Sequence, residues 1–139
     1  MPTVAASREL LASRDDVWAF VSDPYNLPNW WPRVAGVQPD RRGLAPGARW
    51  HVQGRAEPTL LRRPEAVGSL LVRDVRAPER LEFHLTGDRL DVELVLEEAG
   101  PARTRATVRV QGPWLVGLSR SLPRQVLGRL HALLQTGAP

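Results

Sequence analysis

The sequence predicts one α+β domain that contains a strand, two short helices, a run of about six antiparallel strands and a C-terminal helix. Two helix-start signals follow the first strand, at Ser13 and Asp23. Apolar and polar residues alternate with a period of two over much of 80–111, which is typical of half-buried strands. An apolar stripe with helical spacing lies near the C-terminus. The length, 139 residues, suits a single domain spanning 1–139.

The N-terminal part predicts a strand followed by a helical corner. Residues 3–11 form the first strand, and Ser13 begins a helix with Asp16 three residues further on, in a capping-box-like pattern. Asp23 is a second N-cap, because Pro24 suits the first position of a helix. That short helix passes through Trp30 and ends before Pro32.

The middle of the chain predicts strands over residues 33–40, 48–56 and 67–75, with an irregular segment over 57–66. In 48–56 the inner face carries Trp50 and Val52 between small residues. The facing of 67–75 is not assigned, because Leu70-Leu71-Val72 is a continuous apolar run.

Two hairpins follow, and the pattern fixes their register. A Gly87-Asp88 turn pairs Leu85 with Leu90. Apolar matching and charge matching then agree on the remaining pairs. The predicted pairs are Phe83–Val92, His84–Asp91, Leu94–Val108, Glu93–Arg109 and Glu97–Arg105.

The last segment is helical, with Leu122, Val126 and Leu130 on its apolar stripe and Gly137 as terminator. Pro123 leaves two alternatives open. Either a longer helix kinks at Pro123, or the helix begins at Leu122 with Ser121 as its cap.

Composition and charge restrict the function. The net charge is +4, but all 19 basic residues are arginines, scattered and alternating with acids. This pattern favours a solvated face over a nucleic-acid site. No apolar run is long enough to span a bilayer, no signal peptide is expected, and without cysteine there is no disulfide framework. A cytoplasmic protein without stable membrane insertion and without a nucleic-acid partner is therefore expected.

The predicted inner face carries no carboxylate, imidazole or hydroxyl group. Acid–base or nucleophilic catalysis requires a positioned titratable group, so no catalytic residue is predicted. The three histidines, His51, His84 and His131, lack metal-ligand spacing, and no glycine-rich phosphate loop follows a strand. No metal and no cofactor are expected.

The order of elements and the opening stretch resemble the SRPBCC superfamily, which includes START-like proteins and polyketide cyclases. The resemblance rests on Val17-Trp18, Asp23-Pro24, Leu27-Pro28 and Trp30, and it covers nearly the whole chain. It implies a helix-grip fold, in which a curved antiparallel sheet of about seven strands wraps around a long C-terminal helix. The resemblance also implies a cavity between the sheet and that helix.

In this fold the tryptophans would close one end of the grip. Large aromatic side chains bury about 150–250 Å² each, so Trp18 and Trp30 are interpreted as corner-fixing core residues. Trp31 must point differently from Trp30 and is either a core or a rim residue. The polar candidates for the pocket are Tyr25 and Asn26 near the corner and Ser69, Arg73 and Asp74 on the unassigned strand. The complete predicted pocket consists of Trp30, Trp31, Trp50, Tyr25, Ser69, Arg73, Phe83, Val92, Leu94, Val108, Leu122 and Val126.

Three functions fit these observations. The leading hypothesis is a protein that binds a hydrophobic small molecule, aromatic, lipid-like or polyketide-like, in an apolar cavity. The second is an enzyme of the polyketide cyclase or dehydratase type that positions a reactive chain. The third is an interaction module that binds a partner or a membrane surface through an apolar patch beside Leu60-Leu61 and Trp114. The protein is expected to be a monomer or a homodimer.

Overall fold

The computed structural model describes residues 2–54, 67–113 and 119–135. Its centre is a curved antiparallel sheet with the strand order β1-β7-β6-β5-β4-β3-β2. The strands are β1 (Thr3–Leu10), β2 (Val34–Gln38), β3 (Arg49–Gly54), β4 (Val67–Arg76), β5 (Arg80–Leu85), β6 (Leu90–Gly100) and β7 (Arg103–Gln111). The helices are α1 (Arg14–Val21), a 3-10 helix (Pro24–Asn26), α2 (Leu27–Trp30) and α3 (Leu122–Leu133). The predicted α+β helix-grip architecture is confirmed.

Both predicted helix starts after β1 are present. The Ser13 hydroxyl accepts a hydrogen bond from the backbone N–H of Asp16, 3.2 Å away, and caps α1. The Asp23 carboxylate accepts one from the N–H of Tyr25 at 3.0 Å and caps the 3-10 helix. These side chains satisfy backbone donors that the first turn of a helix leaves unpaired.

The predicted hairpin register is confirmed. Leu85 lies opposite Leu90 and Phe83 opposite Val92 in β5 and β6, and Glu93 lies opposite Arg109 in β6 and β7. The predicted two-residue turn is wrong, because pairing ends at Leu85–Leu90 and residues 86–89 form the loop. The positive φ in this loop belongs to Arg89, at 55°, and not to Gly87.

A bulge in β4 is a second reason, besides the continuous apolar run, why its facing could not be assigned from the sequence. Val72 pairs with Phe83, but Asp74 pairs with Glu82, so the register shifts between Val72 and Asp74. A bulge places two consecutive residues opposite one and interrupts the two-residue alternation. Before the shift the alternation is regular, with Leu70 and Val72 buried, and Arg73, at the shift, is exposed.

The C-terminal helix begins at Leu122, with Ser121 at its N-cap position. Of the two alternatives that Pro123 left open, α3 therefore follows the one in which the helix starts at Leu122. Pro123 occupies the first turn, where a missing N–H leaves no hydrogen bond unmade. The Ser121 hydroxyl accepts from the side-chain amide of Gln125 at 2.9 Å and makes no side-chain cap bond to the backbone. The predicted terminator, Gly137, lies outside the described residues.

The core lies between the inner face of the sheet and α3, which packs on β1 and β7 and contacts α2. The inner face contains the buried side chains that the alternation predicted, among them Leu81, Phe83, Leu94 and Val108. The buried face of α3 consists of Leu122, Pro123, Val126, Leu127 and Leu130. Among the described helices, none combines the length and apolar character that a bilayer span requires.

Candidate ligand-binding interior

Backbone caps and hydrogen bonds place the two adjacent tryptophans at one end of the core. Asn26 donates its side-chain amide to the carbonyl oxygen of Phe20 at 3.0 Å and so ties the 3-10 helix to α1. α2 ends at Trp30, and Trp31 leaves the helix in an extended conformation, with φ −101° and ψ 115°. This change of backbone direction brings both indole rings into the interior.

Trp30, Trp31 and Phe83 form an aromatic cluster between α2 and the sheet. The ring centroids of the two tryptophans are 6.1 Å apart, and their planes meet at 88°. The Phe83 centroid is 6.2 Å from Trp30 and 5.8 Å from Trp31, again with edge-to-face orientation. Such edge-to-face pairs contribute about 0.5–1.5 kcal/mol beyond their area burial. The cluster therefore fixes the corner between α2 and β5.

Trp31 is a core residue. The sequence leaves open whether it lies in the core or at the rim. Its side chain is 0% exposed and that of Trp30 is 1% exposed. The rim position is wrong because the extended backbone at Trp31 turns its ring inward, perpendicular to that of Trp30. Trp18, predicted as core, is half-buried and packs against the core from α1.

The aromatic cluster contains two buried hydrogen-bond donors without an acceptor. The indole Nε1 atoms of Trp30 and Trp31 are buried, and neither has a partner among the described residues. Trp50, 3% exposed, differs because its Nε1 donates to the carbonyl oxygen of Gly43 at 2.7 Å. Buried tryptophan N–H groups usually have a partner, so the two unpaired donors are a chemical feature of this site.

The remainder of the interior is apolar. Within the part of the chain that the structure describes, Thr104 is the one buried polar residue. Its hydroxyl donates to the carbonyl oxygen of Ala12 at 2.8 Å. The two-residue alternation through Ala106, Val108 and Val110 also runs through Thr104, so the sequence contained a signal for this position that our prediction missed.

The apolar members of the predicted pocket lie in the interior. The structure buries Trp30, Trp31 and Phe83 in the aromatic cluster, and Val92, Leu94 and Val108 on the inner face of β6 and β7. Leu122 and Val126 are on the buried face of α3. Trp50 is buried on β3, with its N–H directed at the loop before that strand. That these residues line a ligand cavity stays a prediction.

The polar members of the predicted pocket do not face the interior. Tyr25 is 68% exposed. Ser69 and Arg73 alternate with the buried Leu70 and Val72, which places both on the outer face of β4. There a guanidinium nitrogen of Arg73 lies 3.7 Å from a carboxylate oxygen of Asp91. The expected inward orientation is thus wrong for Arg73, and Asp74 also lies outside, within 3.5 Å of Arg80.

Among the described residues, the groups capable of acid–base chemistry are also outside the core. His84 Nδ1 lies 2.9 Å from Asp91 Oδ1, which confirms their predicted cross-strand pairing on the outer face. Asp23 is exposed, and its carboxylate caps the 3-10 helix. Among the described residues, no three His, Cys, Asp or Glu side chains lie close enough together to hold a metal ion.

Two open surface hollows do not involve the aromatic cluster. One lies between Ser13-Arg14 and the turn that joins β6 to β7. The other runs along residues 3–6 of β1, beside Arg120 and Arg124. Both are open to solvent and are lined in part by charged side chains, so neither encloses an apolar ligand.

Comparison with known proteins identifies the family. A family model described as polyketide cyclase / dehydrase and lipid transport matches residues 1–134. The chain belongs to this family. A comparison with curated proteins finds no match.

Solved structures share the fold of this chain at low sequence identity. The protein CV1439 from Chromobacterium violaceum has a TM-score of 0.72 at 16% identity, with 97% of this chain and 99% of that chain covered. The di-domain aromatase/cyclase BexL of the BE-7585A biosynthetic pathway has a TM-score of 0.69 at 16% identity, over 95% of this chain and 46% of BexL. DynU16, of the dynemicin biosynthetic locus, has a TM-score of 0.66 at 22% identity, over 99% of this chain and 48% of DynU16. At these identities the similarity establishes the fold alone.

Proposed function

We propose that the protein binds a hydrophobic small molecule, aromatic, lipid-like or polyketide-like, between the sheet and α3. The observation that carries the proposal is the chemistry of the interior: apolar side chains on the sheet and on α3, closed at one end by the aromatic cluster. Burial of apolar ligand surface contributes about 25 cal/mol per Å². The family description, which includes lipid transport, supports the same function.

The interior favours binding over acid–base catalysis. A general acid or base must lie within hydrogen-bond reach of the reacting atom. Among the described residues, the ionisable side chains are outside the core, and the hydroxyl of Thr104 is engaged with Ala12. A ligand held here would be surrounded by apolar groups and by the two indole N–H donors.

A cyclase or dehydratase is the second candidate, because the family description names both reactions. In this interior such an enzyme would act by holding a polyketone in a reactive conformation, as positioning alone can supply a large part of a rate enhancement. Conversion of a polyketone at a rate that Trp31→Phe lowers and Arg73→Ala leaves unchanged would support this candidate. The third hypothesis, an interaction surface beside Leu60-Leu61 and Trp114, concerns residues outside those described.

A blocking substitution tests the binding function. A neutral naphthylamine dye should bind the wild-type protein at micromolar concentration and quench tryptophan emission. Val108→Phe adds volume at a position that is 0% exposed on the inner face, so binding should weaken more than about tenfold. Arg109→Phe adds the same ring on the outer face and is the matched control.

Thermal melts must show that both variants are folded at the assay temperature. Equal dye affinity in wild type and Val108→Phe would contradict binding between the sheet and α3. Native mass spectrometry of protein purified from its own host would identify a bound molecule directly.

A further inference from the structure

We infer that the ligand carries a neutral hydrogen-bond acceptor, a ketone, quinone or ester carbonyl, and that the indole N–H groups of Trp30 and Trp31 bind this oxygen. The inference rests on the proposed function and adds the chemical class of the ligand. Trp30 and Trp31 then determine specificity as well as filling the corner of the fold.

The first argument is the state of the two donors. Trp30 and Trp31 are 1% and 0% exposed, and neither Nε1 has an acceptor among the described residues. A buried donor without an acceptor loses its hydration and gains nothing in exchange. An acceptor brought by a ligand removes this penalty at the moment of binding.

The second argument is that the two donors belong to adjacent residues. Their rings are perpendicular, with centroids 6.1 Å apart, and both pack against Phe83. A carbonyl oxygen has two lone pairs and can accept two hydrogen bonds. One ketone oxygen has enough acceptor capacity for both indole N–H groups, and the two oxygens of a quinone can accept from them separately.

The third argument concerns charge. The described part of the core contains no cationic side chain, and its one buried polar residue, Thr104, donates its hydroxyl to Ala12. A carboxylate would lose its hydration there without a counter-ion, which is far less favourable than burying a neutral carbonyl. A hydrocarbon would leave both N–H groups unpaired. The interior should therefore prefer a neutral ketone to an isosteric hydrocarbon and to a fatty acid.

Trp50 provides a built-in comparison. It is as buried as the other two tryptophans, at 3% exposed, but its N–H already donates to Gly43 at 2.7 Å. Trp50→Phe and Trp31→Phe remove the same N–H group and the same part of the ring. They differ in whether that N–H is free to bind a ligand.

The experiment compares matched pairs of ligands in which a carbonyl replaces a methylene group. Two sizes, fluorenone with fluorene and acetophenone with ethylbenzene, are titrated into the complete protein, and fluorene-9-carboxylate is the charged member. Each ketone should bind roughly tenfold or more tightly than its hydrocarbon, because its oxygen gives about one or two buried N–H groups an acceptor. The carboxylate should bind more weakly than fluorenone.

Three tryptophan variants then show which indole N–H groups cause the preference for a ketone over its hydrocarbon. Trp30→Phe and Trp31→Phe should each reduce the ratio of ketone to hydrocarbon affinity several-fold, whereas Trp50→Phe should leave this ratio unchanged. If a variant fails to fold, indole N–H resonances of ¹⁵N-labelled wild type provide the second measurement. The Trp30 and Trp31 signals should move downfield with the ketone and not with the hydrocarbon, and the Trp50 signal should move with neither.

The outcomes separate the two proposals. Equal affinity for ketone and hydrocarbon, with indole signals that do not respond to the carbonyl, overturns the assignment of Trp30 and Trp31 and leaves hydrophobic binding in place. That result would mean that buried water satisfies the donors. Binding of none of the five compounds at millimolar concentration overturns the proposed function and this inference with it.

Discussion

Thr104 shows how much one polar group can matter inside an apolar core. Its hydroxyl is buried on β7 and reaches across to the carbonyl oxygen of Ala12, just before α1, at 2.8 Å. The bond joins residues 92 positions apart. It thereby connects the sheet to the segment that leads into the tryptophan-bearing corner.

Thr104→Val should destabilise the protein by about 1–3 kcal/mol, because the isosteric side chain leaves the Ala12 carbonyl buried without its donor. Thr107→Val is the matched control, since the Thr107 hydroxyl contacts Ser7 at 2.8 Å where water can replace it. Urea denaturation measures both free energies of unfolding. Equal losses of unfolding free energy in the two variants would show that the buried hydrogen bond stabilises the protein no more than the exposed one.

Asp40 is an exposed residue whose carboxylate organises the connection from β2 to β3. Its two oxygens accept backbone N–H groups of Arg49 and Arg42, each at 2.9 Å. The hydrogen bond from Arg49 is the main cause that holds the pKa of Asp40 below its usual 3.8. A carboxyl group with a lowered pKa adds stability above its unfolded pKa, and that stability is lost as the pH falls through the folded value.

The melting temperature of Asp40→Asn should therefore be lower than that of the wild type at about pH 6, and the difference should shrink as the pH falls toward about pH 2. Differential scanning calorimetry across this range measures the change. Glu97→Gln, which removes an exposed carboxylate from β6, controls for the loss of one negative charge. A wild-type advantage that grows with acidification would have the wrong sign and would contradict the assignment.

At the scale of elements, the two regular hairpins and the bulged strand behave differently. In β5, β6 and β7 the apolar pairs that the sequence predicts lie on one face and the charged pairs on the other, so both specify the same register. In β4 the shift between Val72 and Asp74 breaks this correspondence. The continuous run Leu70-Leu71-Val72 is compatible with either face, and only its pairing with β5 decides between them.

Replacement by alanine should change the stability of the protein in opposite directions at two glycines, Gly112 and Gly128. At Gly112, after β7, an added Cβ would lie 2.7 Å from the carbonyl oxygen of Arg89 and 2.8 Å from a methyl carbon of Leu90. Backbone cannot move aside as a flexible side chain can. At Gly128, inside α3, the nearest atom is a guanidinium nitrogen of Arg8 at 4.0 Å.

Gly112→Ala should destabilise the protein by about 1–3 kcal/mol through overpacking. Gly128→Ala should stabilise it by about 0.5–1 kcal/mol, because alanine loses less backbone entropy in a helix. Thermal and urea melts of the pair measure both signs. If Gly128→Ala also destabilises, α3 approaches β1 more closely than this packing allows.

At the scale of the whole molecule, the sequence predicts which elements and apolar residues surround the candidate site. It does not predict which buried N–H groups lack an acceptor. The order of elements and the hairpin register follow from local periodicity and from pairing on both faces. The inward turn of Trp31 depends on how α2 meets the sheet, and the lack of an acceptor for its N–H depends on the carbonyl groups of distant segments. Trp31 and Trp50 are both buried, and the contact with Gly43 that distinguishes them depends on the path of the loop before β3.

The distribution of charge over the molecule argues against nucleic-acid recognition. The net charge is +4, but several arginines are held by acids of the same surface. Arg80 lies in β5 between Glu93, which accepts from its Nε at 3.1 Å, and Glu82 at 3.2 Å. Arg14 pairs with Glu98 at 3.3 Å. A cation already paired with a carboxylate must break that pair before it can neutralise a phosphate.

Binding to duplex DNA should therefore be weak and insensitive to sequence. The dissociation constant at physiological salt should be about 1–100 µM or weaker. Fluorescence anisotropy with two labelled duplexes of unrelated sequence measures it, and the affinity should fall further as salt is raised. Arg80→Gln frees the neighbouring carboxylates and should weaken this residual binding slightly for both duplexes alike. A submicromolar complex with one duplex and not the other would require base contacts, and would mean that the arginines form a recognition surface instead of the solvated outer face of the sheet.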